Sequence, residues 1–117
     1  MQDEPRSENP QVRVLPDRSG TQVVLLSGEV DADSVSEVAR VLADGARAGR
    51  RRVVDISSLE FGDSALLHVL LRAHAAGPLV IAGPVPSGFG QILHVTGADT
   101  VLRLAPGLSS ALDGFDG

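Results

Sequence analysis

Three runs of uninterrupted apolar residues constrain this chain more than any other feature: Val23-Val24-Leu25-Leu26, Val53-Val54 and Leu79-Val80-Ile81-Ala82. A strand with one wet face alternates apolar and polar residues, whereas a strand covered on both faces reads as a solid run. Strands of the second kind belong to sheets with parallel crossovers and helices packed against them. The segments between the runs carry helical spacing. Val35, Val38, Ala39, Leu42 and Ala46 predict a helix over residues 34–48, with Asp31, Asp33 or Ser34 as its cap and Gly49 closing it. A second helix is expected from Asp63 or Ser64 to Ala76, ended by Gly77-Pro78, and Phe89, Ile92 and Leu93 form the stripe of a third, stopped at Gly97.

Around these helices the sequence predicts strands at Val12–Leu15, Thr21–Ser27 (ended by Gly28), Arg51–Ile56, Leu79–Ala82 and Val101–Leu104. A turn is expected at residues 16–20 and a terminal turn or helix at Ser109–Leu112. The order β-β-α-β-α-β-α-β-α describes an α/β domain with a mixed sheet of four to five strands and about four packed helices. A chain of 117 residues has room for one such domain. Residues 1–10 hold four charges, two prolines and no periodicity, so they read as a disordered tail ahead of a domain spanning 11–117.

Composition removes several function classes. Cysteine is absent, which excludes disulfide frameworks, thiol catalysis and thiolate metal sites. The net charge of −5 argues against nucleic acid as a partner, and without Trp or Tyr there is little to stack bases on. No Lys exists, so the phosphate-binding loop G-x-x-x-x-G-K-(S/T) cannot be built. The acidic N-terminus does not resemble a signal peptide, and the apolar stretch at 65–76 is broken by His68, Arg72 and His74. A soluble cytoplasmic protein with no membrane insertion is expected.

Candidate catalytic constellations fail on spacing. Gly62-Asp63-Ser64-Ala65-Leu66 approaches a nucleophile elbow but ends in Leu66 where glycine is needed, and His68 lies one turn past Ser64 on the same helix, a poor place for a base. Asp31-Ala32-Asp33 opens like a calcium loop, yet Ser36 and Leu42 stand where its Gly and bidentate Glu belong. The three histidines have no companion ligands at metal spacing, so neither metal nor cofactor is expected. Arg50-Arg51-Arg52 reads as a solvated loop before a strand. The second helix is more informative: Ser64, His68 and Arg72 fall on one face of an otherwise apolar helix, its solvent edge or its partner-facing edge. Read structurally, Ser64 is simply the helix N-cap.

Three segments together resemble a known family. Asp55-Ile56-Ser57-Ser58-Leu59-Glu60-Phe61-Gly62-Asp63-Ser64 resembles the D-L-S-x-L-x-F-x-D-S-(S/A)-G signature of the STAS domain, named for sulfate transporters and anti-sigma-factor antagonists. Leu26-Ser27-Gly28-Glu29-Val30-Asp31 is similar to that family's L-x-G-E-(L/V)-D, and Phe89 to Ala98 to its V-x-x-(I/L)-L-x-x-T-G-L. The likeness spans residues 12–112. The chain departs from the signature twice: Ala65-Leu66 stand in place of the small-Gly pair, and Gly62 replaces the usual apolar residue before the Asp.

The resemblance implies a STAS-type fold and, for the stand-alone antagonists, no enzyme activity but a partner switch. An anti-sigma factor with serine kinase activity binds the unmodified antagonist, which frees the sigma factor and permits transcription; the kinase then phosphorylates the Ser after the motif Asp, and a serine phosphatase resets it. On this chain the acceptor position is Ser64, and Glu29, Asp31 and Asp63 match acidic positions near the partner surface. Ser64, His68 and Arg72 complete the expected partner-binding set. The resemblance also admits a STAS subunit of a membrane lipid-transport ATPase, or a scaffold module in a signalling assembly that needs no phosphate.

Overall fold

The computed structural model describes residues 11–15 and 20–113. Strands β1 (Val12–Val14), β2 (Thr21–Glu29), β3 (Arg51–Phe61), β4 (Leu79–Ala82) and β5 (Leu104–Ala105) form one sheet in the order β1-β2-β3-β4-β5. β1 runs antiparallel to β2, and the other neighbours are parallel. Helices α1 (Ala32–Arg47), α2 (Ser64–Ala76) and α3 (Ser87–Thr96) fill the crossovers, and α4 (Leu108–Asp113) closes the described chain. The expected alternation holds. The tail at 1–10 and most of the turn at 16–20 lie outside the described residues.

The apolar runs do cover both faces of the sheet. The row Val24–Val54–Ile81 points into the larger core with α1, α2 and α3, while Val23, Val53 and Val80 pack with Ala111 of α4 on the other side. Burial at this level is worth roughly 1.5–3 kcal/mol per large aliphatic side chain, so two covered faces supply most of the driving force.

Four expectations need correction. The strand expected at Arg51–Ile56 runs on to Phe61, paired with β2 along its length. The strand predicted at Val101–Leu104 shrinks to Leu104–Ala105, because the chain continues from α3 into a 3-10 turn at Ala98–Thr100. Ala98 and Leu102, four apart, are the residues that enter the core, and Val101 is 52% exposed. β2 does not end at Gly28: that glycine takes φ +65° within the strand, and pairing continues to Glu29. The Arg50-Arg51-Arg52 run is not a solvated loop. β3 begins at Arg51, and Arg52 is wholly inaccessible.

Arg52 points from β3 toward the α1–α2 pair. Its Nη1 donates to the Leu42 carbonyl (3.1 Å) and its Nη2 to the Ala73 carbonyl (2.8 Å). Ala73 lies in the last turn of α2, where carbonyls lack intrahelical donors and a cation complements the helix dipole. Beside it in register, Gln22 donates from Nε2 to the Val41 carbonyl (3.2 Å). Burial pushes the Arg52 pKa below its ordinary value, which still leaves it charged.

The two departures from the family signature prove to be one packing event. Gly62 is buried, and a Cβ placed there would lie 2.7 Å from Cδ2 of Leu66, with Leu59 and Phe89 close behind. Leu66 is 0% exposed. The Leu66 side chain therefore occupies the space that a side chain at 62 would need. The expected consequence is strong coupling. Gly62→Val should cost about 2 kcal/mol through overpacking, and Leu66→Gly about 4 kcal/mol through the cavity and the helical glycine. The double variant should recover at least about 1 kcal/mol of that sum in urea unfolding; simple additivity would show that the two positions do not share a space.

Candidate functional site

In a sheet with parallel crossovers, every loop that follows a strand and opens a helix lies at the carboxyl edge, where such folds bind ligands. Glu29 ends β2, Phe61 ends β3, Asp31 precedes α1 and Asp63 precedes α2. Two contacts tie these loops together: Glu29 and Phe61 are register partners, and the Val30 N–H donates to the Phe61 carbonyl at 3.1 Å. Glu29, Asp31, Asp63 and Ser64 thus share one exposed acidic edge.

Of the helices that open at this edge, α1 and α2 are each capped by an aspartate. Asp31 Oδ1 accepts the Ser34 N–H at 3.0 Å, and hydrogen bonds from the Ser34 backbone and hydroxyl hold its carboxyl below the usual carboxylate range. Asp63 Oδ1 accepts from the Ala65 N–H (3.0 Å) and the Leu66 N–H (3.4 Å). The structural reading of Ser64 as N-cap is therefore wrong, since Asp63 has that role. Ser64 is instead the first residue of α2, exposed, and among the described residues nothing hydrogen-bonds its hydroxyl.

The geometry of β3 adds to this edge a residue that the expected partner-binding set lacks. β3 gains one residue on β2 between the pairs Leu25–Asp55 and Ser27–Ser58, and a second between Gly28–Leu59 and Glu29–Phe61. At the first irregularity, Asp55 Oδ1 accepts the Ser57 N–H at 2.9 Å. Bulges of this kind re-aim side chains. Strict alternation from buried Leu59 would turn Phe61 inward, but the second bulge leaves it 54% exposed. It is a large apolar side chain standing among acidic ones. The only signal for it in the sequence was the aromatic position of the motif itself.

His68 and Arg72 do share the exposed face of α2 with Ser64, as expected. They do not join the acidic edge. At about 1.5 Å of rise per residue they stand roughly 6 and 12 Å further along the helix, where both line a groove between α1 and α2. Among the described residues, no group of three or more acidic or His side chains is placed to hold a metal ion. No described helix is long and apolar enough to cross a membrane.

The Asp31 cap gives a pH prediction. A carboxylate whose folded pKa is depressed stabilises above its unfolded value, about 3.9, and that contribution disappears as the pH falls through the folded value. Asp31→Asn keeps an N-capping side chain without the titration. Urea midpoints measured downward from pH 6 should fall less steeply below about pH 4 in Asp31→Asn than in the wild type; identical acid limbs would remove the carboxylate from this role.

Comparison with known proteins agrees with this architecture. A family model described as "Mlab, STAS domain" matches residues 15–105. No curated protein matches the chain. Among solved structures, an anti-sigma factor antagonist from Mycobacterium paratuberculosis superposes with a TM-score of 0.76 at 25% identity, covering 91% of this chain and 96% of its own. The unphosphorylated anti-sigma factor antagonist SpoIIAA aligns with a TM-score of 0.68 at 18% identity, over 91% of this chain and 98% of its own. The phosphorylated form of SpoIIAA, a Bacillus cell fate determinant, gives 0.69 at 18% identity, over 89% and 98%. With three sequence segments, a five-stranded mixed sheet and a family model spanning most of its length in agreement, this chain belongs to the STAS domain family.

Proposed function

We propose that this protein is an anti-sigma-factor antagonist: it binds an anti-sigma factor with serine kinase activity through the carboxyl edge of its sheet, and phosphorylation of Ser64 releases it. The observation that carries this reading is the placement of Ser64, which opens α2 directly beside the Asp63 cap and the exposed Phe61, its exposed hydroxyl without a partner among the described residues. The likeness to an antagonist at 25% identity supports it. On this reading the protein acts by binding and carries out no chemistry of its own.

The mechanism follows from which groups are already occupied. A helix N-terminus ordinarily accommodates a phosphate on its free N–H groups. Here the Asp63 carboxylate already takes the Ala65 and Leu66 N–H donors. A phosphate on Ser64 brings about −1.5 to −2 charge next to that carboxylate and is pushed outward, toward a partner. Its effect falls on the interface and leaves the fold untouched. Phe61 supplies the apolar contact and the acidic ring around it selects a basic partner surface, so the modification acts at the margin of the anchor. A hundredfold loss of affinity needs only about 2.7 kcal/mol. Leu66, turned fully inward, adds no bulk in front of Ser64.

The test uses wild type, Ser64→Ala, Ser64→Asp and Phe61→Ala as baits in native lysate, followed by titration of the captured partner. An ATP-binding anti-sigma factor should come down with wild type and Ser64→Ala. Ser64→Asp should lower its affinity about 100-fold and Phe61→Ala at least about tenfold, with unfolding midpoints little changed. Equal retention of that partner by Ser64→Asp would refute the switch. Capture of a membrane-transport ATPase by all baits would instead identify a docking subunit that needs no phosphate.

A further inference from the structure

We propose a second binding site, independent of the partner switch: the groove between α1 and α2 takes an aliphatic carboxylate, with its chain lying in the groove and its headgroup at the Arg72–His68 rim. The groove holds about 460 Å³, within the range of small-molecule sites. Its walls are made by short side chains, among them Ala39 and Ala43 of α1 and Ala65, Val69 and Ala73 of α2. Small residues on facing helices ordinarily let the helices close together. Here the buried Arg52 guanidinium stands between them, bonded to a carbonyl of each.

Charge selects the ligand. Among the described residues lining the groove, Arg52, His68 and Arg72 are basic and none is Asp or Glu, although the chain carries a net charge of −5. Arg52 is 0% exposed, and among the described residues its Nε has no partner and no carboxylate bonds its guanidinium. A buried cation without a counter-charge costs free energy and projects a positive potential through the low-dielectric walls around it. Arg72, exposed at the mouth one turn beyond His68, has no ion-pair partner among the described residues and offers a planar fork that matches a carboxylate. An apolar slot over one cation and rimmed by another favours an amphiphilic anion over a neutral or cationic amphiphile of the same length.

The experiment titrates dodecanoate, below its micellar concentration, into the full-length isotope-labelled protein and follows amide shifts. Dodecanol and dodecyltrimethylammonium serve as comparison ligands. Dodecanoate should bind saturably, with shifts confined to α1 and α2. Dodecanol should bind about tenfold more weakly, the loss of one charge-assisted contact, and the ammonium should not bind. Arg72→Gln, a surface change that leaves the core alone, should weaken dodecanoate about tenfold, and Ala43→Phe should fill the groove and abolish binding. Absence of saturable binding, equal binding of the ammonium, or unchanged affinity in Arg72→Gln would overturn the proposal. So would movement of the same amides on raising protein concentration alone, which would identify a second copy of the chain as the occupant.

Discussion

The Arg52 guanidinium determines how α1 and α2 sit on the sheet. It has no carboxylate partner among the described residues and is held by two helix carbonyls, one of them at the carboxyl end of α2. Hydrogen bonds from a charged donor are worth roughly 1.5–3 kcal/mol each, whereas desolvating the ion costs several kcal/mol. Gain and loss are of the same order, so the interaction matters mainly for geometry. It ties the distal halves of two helices to one point on β3, and their capped N-termini are thereby presented side by side at the opposite edge of the sheet.

That edge owes its shape to local irregularities as much as to topology. The crossover rule places the loops after β2 and β3 together, but two extra residues in β3 decide which way the last side chains face. Without the second bulge, Phe61 would continue the inward row of Leu59. With it, the strand ends in an exposed aromatic between Glu60 and the Asp63 cap, and the serine follows at once. The two adjacent polar residues then have different fates: Asp63 accepts two amides of α2, and the Ser64 hydroxyl has no partner among the described residues.

Much of this was legible in the sequence because the period of apolar residues changes cleanly between strand and helix. Val23–Leu26 and Leu79–Ala82 announced sheet rows covered on both faces, and Gly49, Gly77 and Gly97 stood where helices end. The failures have two causes, long-range packing and an ambiguous local spacing. Arg52 looked like part of a charged loop because only the tertiary structure brings the Leu42 and Ala73 carbonyls to it. Val101–Leu104 looked like a strand because a four-residue spacing, Ala98 to Leu102, serves a helical turn as well as period two serves a sheet. Of the candidate site, the acidic edge was readable from the motifs. The removal of His68 and Arg72 to a separate groove was not, since one helical face passes through two surroundings along its length.

The interlocked Gly62 and Leu66 carry a consequence for substitution. Neither position is free to change alone: a side chain at 62 meets Leu66 Cδ2, and loss of the Leu66 side chain beside Gly62 leaves a void. A comparison that scores positions one at a time counts two departures in the most diagnostic stretch of this chain, where the structure holds a single filled volume.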